Sequence, residues 1–198
     1  MTEGELAKLY IRDRGWRRGI IIRNETLVTG WEADIFIVEN GIGREIEVKV
    51  SASDLRKEFG RTYPKIEHVG LTVGDYGRIS SKERKHDALL YGGPYQWERN
   101  KRDNLKCGGP FWIFIGRKPT PVSYYSVLVP EDLKDMAMEL VPEGYGVISV
   151  RKGCTYCVRK TTRIVNSRKV EAADIEALAR HLSSRYWTEQ FGSTTGRK

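Results

Sequence analysis

The chain has 198 residues and a formal net charge of +8, from 34 lysines and arginines against 26 acidic residues, a length that suits one domain with a buried core. A hydrophobic share of 39% is too high for a disordered chain, and the longest apolar runs, such as residues 111–115, fall far short of a bilayer-spanning helix. The acidic start, Thr2-Glu3-Gly4-Glu5, is unlike a secretory leader, and three cysteines make a poor disulfide framework, so the expectation is a cytoplasmic protein with no membrane partner.

Leu6, Leu9 and Tyr10 recur at helical spacing and Gly15 follows, which predicts a first helix over 3–14. Extended segments follow over 19–23, 31–39 and 44–50, the last two joined by the glycine-rich turn Asn40-Gly41-Ile42-Gly43. Ser51 to Asp54 offer N-cap oxygens for a short helix ending near Phe59. Residues 60–79 read as an irregular excursion. Ser80-Ser81-Lys82-Glu83 fits a capping box opening a helix through Tyr91, and residues 92–109 read as a second excursion. Strands are expected over 111–115 and 124–129, a helix over 131–140 after Pro130, and short strands over 146–150 and 155–159. Residues 170–187 carry Ile175, Leu178, Ala179, Leu182 and Tyr186 on one helical stripe, and 192–198 form a loose tail. Nothing divides residues 1–191, so the pattern describes a single α/β domain whose central mixed sheet is flanked by helices.

The positive charge is concentrated. Residues 78–118 hold ten basic and four acidic side chains, together with Tyr91, Tyr95 and Trp97 among glycines. Cations interleaved with flat rings suit phosphate contact and base stacking, which nominates Arg99, Lys101 and Arg102, with Lys82, Lys85 and His86 on the preceding helix, as nucleic-acid contacts. The plainer reading is a solvated loop packing its rings on the core. Cys154-Thr155-Tyr156-Cys157 has zinc-knuckle spacing but no second ligand pair nearby, so it reads as small residues on a strand. His68 and His181 receive no role.

Chemistry is concentrated elsewhere. Side chains alternate along a strand, so Glu45, Glu47 and Lys49 project to one side and Ile46, Val48 and Val50 to the other. Asp34 shares its face with Phe36 and Val38, and the turn folds this strand onto the next, setting Asp34 beside Glu47. Neighbouring carboxylates repel unless a cation joins them, and oxygen ligands favour Mg2+, with Mn2+ as substitute. Lys49 is placed to orient or help deprotonate an attacking water, or to stabilise charge on a phosphorane. Alternating charged and apolar residues also occur on any half-exposed strand.

Asp34 followed after twelve residues by Glu47-Val48-Lys49, behind an acidic first helix, resembles the PD-(D/E)XK nuclease superfamily. Ser51 to Leu55, Lys85-His86, Val129-Pro130-Glu131, residues 141–148 and residues 182–187 extend the likeness to small phage and prophage nuclease-like proteins. The resemblance implies a restriction-endonuclease-like core, with Asp34, Glu47 and the Val48 carbonyl as metal ligands and Lys49 acting on the water. It also implies a further glutamate from the first helix, where Glu5 stands; Thr2 and Glu5 equally fit a capping box, and Glu25 is a second candidate. Glu32-Ala33 stands where the family's proline often precedes the aspartate, and residues 60–79 and 92–109 read as insertions. The expected function is Mg2+-dependent hydrolysis of phosphodiester bonds in DNA, single- or double-stranded, in a host cytoplasm if phage-encoded, with room for a homodimer. The alternatives are a non-cleaving nucleic-acid-binding module on the same fold, serving repair or recombination or opposing a host protein, and a domain that binds an acidic protein.

Overall fold

The computed structural model describes residues 1–14, 19–26, 31–63, 65–66, 78–100 and 111–191. The first helix, α1 (Glu3–Arg14), is followed by strands β1 (Ile20–Thr26), β2 (Glu32–Glu39) and β3 (Ile42–Val48). The β2–β3 turn uses two residues, Asn40 and Gly41, at φ 52° and 74°. A two-residue turn of that hand matches strand twist. It therefore starts β3 at Ile42, two residues earlier than the sequence suggested, and leaves Lys49 just beyond the strand end.

Helices α2 (Ala52–Phe59) and α3 (Ser81–Tyr91) come next, then β4 (Tyr95–Asn100), β5 (Phe111–Arg117) and β6 (Val122–Pro130). A 3-10 turn over Glu131–Leu133 leads into α4 (Lys134–Leu140), followed by β7 (Gly146–Arg151), β8 (Cys154–Arg159) and α5 (Ala172–Phe191). Six strands form one sheet in the order β1-β2-β3-β6-β7-β8. β3, β6 and β7 run parallel and the other neighbours antiparallel, so the fold is α/β with a mixed central sheet flanked by helices.

Strand alternation gives the sheet two buried faces. Ile35, Ile37, Ile46, Val48, Leu128, Ile148 and Val150 pack against Leu6, Ala7 and Tyr10 of α1. Phe36, Val38, Tyr125, Val127 and Val129 face the other way, against Leu55 and Phe59 of α2, Ala88 and Leu89 of α3, Ala137 of α4 and Leu178 of α5. The apolar stripe expected along α5 is half used: Leu178 is 1% exposed, but Leu182 and Tyr186 are 39% and 57% exposed.

The second excursion is a correction to the sequence reading. Within it, β4 pairs antiparallel with β5 as a ribbon separate from the main sheet. Residues 101–110, and most of 60–79, lie outside the described residues. The capping box at Ser80 and Glu83 is present, and α3 ends on Gly92 at φ 98°. Five consecutive residues of α3, Lys85 to Leu89, are buried because the helix has neighbours on both sides. Ala88 and Leu89 join the sheet core, while Asp87 accepts hydrogen bonds from Arg117 at 2.7 and 3.0 Å. None of the described helices is long and apolar enough to cross a membrane.

Candidate active site: a charged cluster at the end of β3

Ile35 pairs with Ile46 and Phe36 with Glu45, a register that sets Asp34 opposite Glu47. Asp34 accepts a hydrogen bond from the Val48 amide at 2.7 Å, which ties its carboxylate to the end of β3. Lys49 leaves the strand with its amide bonded to the Leu128 carbonyl of β6, and its ammonium turns back to Glu47 Oε1 at 2.6 Å. Asp34, Glu47, Val48 and Lys49 therefore meet, as their spacing predicts.

Three further side chains, those of Lys85, Glu45 and Trp31, complete the cluster. Lys85 of α3 places its ammonium 2.7 Å from both Glu47 Oε2 and Glu45 Oε1, and Trp31 Nε1 donates to Glu45 Oε2 at 3.0 Å. Lys85 also lies 5.2 Å from the centre of the Tyr125 ring, whose buried hydroxyl has no hydrogen-bond partner among the described residues. Glu45 was visible in the sequence on the same strand face as Glu47, without a role; the structure makes it the second anchor of Lys85.

Lys85 and His86, expected to meet phosphate at the surface, are 5% and 0% exposed. That expectation is corrected: both point into the protein. His86 Nε2 lies 3.0 Å from Glu58 Oε1 and its Nδ1 lies 3.1 Å from the Tyr145 hydroxyl. Burial lowers the His86 pKa, so the neutral ring donates from Nε2 to the carboxylate and accepts from Tyr145 at Nδ1. Lys82 bridges Glu58 from the helix rim with its side chain 39% exposed, and it remains open to solvent.

Glu5 is also corrected. Its carboxylate accepts from the Thr2 amide at 2.7 Å while the Thr2 hydroxyl accepts from the Glu5 amide at 3.3 Å, a closed capping box on an exposed turn. The Thr2 hydrogen bonds hold its pKa below the usual value. The Glu25 and Arg99 side chains, and Lys101 and Arg102 entirely, lie outside the described residues.

The cluster's electrostatics follow from burial and from its two ammoniums. Burial and the charge of Glu47 push Asp34 up to about 6. Burial also pushes Glu47 up, but Lys85 and Lys49 outweigh it and keep that carboxylate ionised. Burial raises Glu45 against the opposing pull of Lys85 and Trp31. Lys49 is pulled down by burial and pushed up further by Glu47, so it stays an ammonium; orienting water or stabilising developing negative charge suits it, and abstracting a proton does not. Around Glu47 the three carboxyl groups of Asp34, Glu45 and Glu47 meet two ammoniums, those of Lys49 and Lys85, so acidic groups outnumber basic ones at this spot.

That surplus fits a cation. Asp34, Glu47 and the Val48 carbonyl are oxygen donors of the kind Mg2+ prefers, few enough to leave it several waters. The contest is at Glu47, whose two oxygens each already hold an ammonium. Each of those oxygens keeps a second lone pair, and an entering ion would share an oxygen with an ammonium or displace it. Among the described residues there is no group of three or more His, Cys, Asp or Glu side chains arranged to hold a metal. Cys154 and Cys157 are free and exposed on the edge strand β8.

No protein-family model and no curated protein matches the chain. Among solved structures, the SPO1766 protein of unknown function from Silicibacter pomeroyi is similar over 98% of this chain and 92% of that one, with a TM-score of 0.49 and 13% identity. No residue role is transferred from it.

Proposed function

We propose that the chain is a metal-dependent phosphodiesterase acting on DNA, with a PD-(D/E)XK-type site on a restriction-endonuclease-like core. The observation that carries the reading is the meeting of Asp34, Glu47 and Lys49 at the carboxyl end of β3, where carboxyl groups outnumber ammoniums. Ligands of open α/β sheets sit beyond the carboxyl ends of parallel strands, and β3, β6 and β7 end on that side. Asp34, Glu47 and the Val48 carbonyl would hold Mg2+ or Mn2+. When bound, the ion supplies Lewis-acid polarisation of the phosphoryl oxygen and a more acidic water. Lys49 presents its ammonium to the attacking water and to the charge developing on phosphorus. Lys85 fixes Glu47 from behind, so the carboxylate faces the site in one orientation.

The test is incubation of plasmid and single-stranded DNA with Mg2+ or Mn2+. Wild-type protein nicks or degrades DNA, and Lys49→Ala and Glu47→Ala each lower the rate by about 100-fold or more. Cleavage that survives in both variants overturns the assignment.

A second reading is favoured by the two ammoniums on Glu47: a nucleic-acid-binding module in which the cluster is structural and no ion enters. It gives a salt-dependent gel shift with no cleavage under any metal, and loss of binding in Arg99→Ala/Lys101→Ala/Arg102→Ala.

A further inference from the structure

The α1 face of the sheet carries a basin of about 530 Å3, away from the carboxylate cluster. On β3 the alternation separates the two: Arg44 and Ile46 line the basin, while Glu45 and Glu47 serve the cluster on the opposite face. α1 covers only part of this face, and Tyr10 forms one wall. Ile37, Ile46 and Ile148 supply an apolar floor.

The rim is positive. Arg44, Arg159 and Lys160 line it against one carboxylate, Glu39. Among the described residues none of these three cations lies in an ion pair, and the Glu143 carboxylate outside the lining acts on Arg159 alone, which leaves Arg44 and Lys160 the cations open to a ligand. Arg44 is already ordered: it pairs across the strands with Tyr124, and its guanidinium carbon sits 4.5 Å from the centre of that ring. Stacking fixes the group while leaving its N–H fork for a ligand. Arg159 is held by the main-chain carbonyls of Tyr145, Val141 and Pro142 at 2.9, 2.8 and 3.0 Å, so it contributes charge that neutral acceptors do not cancel. Lys160, exposed at the rim, is free to follow a ligand.

Two cations open at one rim, Arg44 and Lys160, suit a phosphomonoester, which carries about two negative charges near neutral pH. The apolar floor requires that the phosphate be attached to a ring or other apolar body. The volume lies within the roughly 300–1,000 Å3 of small-ligand sites and is too small for a duplex. We propose that this basin binds a phosphomonoester borne on a ring, of nucleotide size, with Arg44 and Lys160 on the phosphate and the body over the isoleucine floor. The ligand is either a free nucleotide or the phosphorylated end of a strand.

Isothermal titration calorimetry in EDTA tests this with deoxythymidine monophosphate, thymidine and a 5′-phosphorylated thymidine dinucleotide. The monophosphate is expected to bind one to one, and thymidine about tenfold more weakly or worse. Arg44→Ala and Lys160→Glu, checked for unchanged melting temperature, each weaken the monophosphate by about tenfold. A dinucleotide binding more tightly than the monophosphate identifies a strand end, and equal or weaker binding identifies the free nucleotide. Absence of saturation by both phosphorylated probes, or unchanged affinity in both variants, overturns the proposal. Lys49→Ala binds as wild type does; loss of binding there alone would move the site to the carboxylate cluster and overturn the basin without touching the nuclease reading.

Discussion

Lys85 sits between two carboxylates with 5% of its surface exposed. Removing one member of such a buried set leaves an uncompensated charge, which costs more than the set contributes. Lys85→Met is expected to destabilise the protein by about 3–5 kcal/mol in denaturant titration at pH 7. Adding Glu45→Gln recovers part of that loss, because one stranded charge disappears. Glu58 sets the acid limit. Burial pushes it up, but hydrogen bonds from His86 and Lys82 and the charge of Lys49 hold it at about 2, below its ordinary 4.5. A depressed carboxylate contributes stability that is full above the unfolded value and is lost as pH falls toward the folded one. His86 acts in the same direction, since its buried neutral ring must charge below about pH 6.5 in the unfolded chain first. Asp34 and Glu45, raised by burial, act in the opposite sense to His86, so the decline to look for is that of Glu58, between about pH 4.5 and 2, and Glu58→Gln is expected to flatten it in urea melts across pH. Asp34, Glu47 and Lys49 were readable because a period of two and a tight turn fix which side chains face each other. Lys85 and His86 were misread because a basic run on a helix looks like a solvated face until the partner carboxylates are placed beside it.

At the scale of elements, the join between β3 and β6 matters most, since β3 holds Glu47 and β6 anchors Lys49. Gly43 lies where the pairing register with β6 shifts. A Cβ there would stand 2.1 Å from the Pro121 carbonyl oxygen and 2.9 Å from the Phe36 ring. Backbone cannot yield as a flexible side chain does. Gly43→Ala is expected to cost about 1–3 kcal/mol by thermal or chemical melting and to lower any cleavage rate as β3 is displaced. Most elements were legible from periodicity and caps: α1, the β2–β3 hairpin, α2 behind Ser51 and α3 behind Ser80. β5 was legible as the apolar run 111–115, but its partner β4 was not, because Gln96 to Asn100 give no clean alternation and the ribbon is tied down by the long-range pairing of Asp87 with Arg117. The stripe on α5 was legible as a helix, but helical spacing alone does not tell how much of it the fold covers, and Leu182 and Tyr186 are left exposed.

For the molecule as a whole, charge is sorted by depth. The chain carries +8, yet the cluster at the end of β3 gathers three carboxyl groups around two ammoniums. A polyanion is attracted to such a surface and repelled at its centre, so a bound cation is the natural intermediary for the phosphodiester chemistry proposed here. Net charge was plain from composition; its segregation was not, because it depends on which lysines the fold takes inside. One consequence concerns covalent labelling. An amine-selective acylating reagent meets the exposed lysines at once, whereas Lys85 is shielded by α3 and the sheet and reacts only when that layer parts. Peptide mass spectrometry after timed acylation is expected to show Lys82 modified early and Lys85 late, with the Lys85 lag shortening as mild denaturant is added. That single amine would then serve as an internal clock for how often α3 lifts away from the strands.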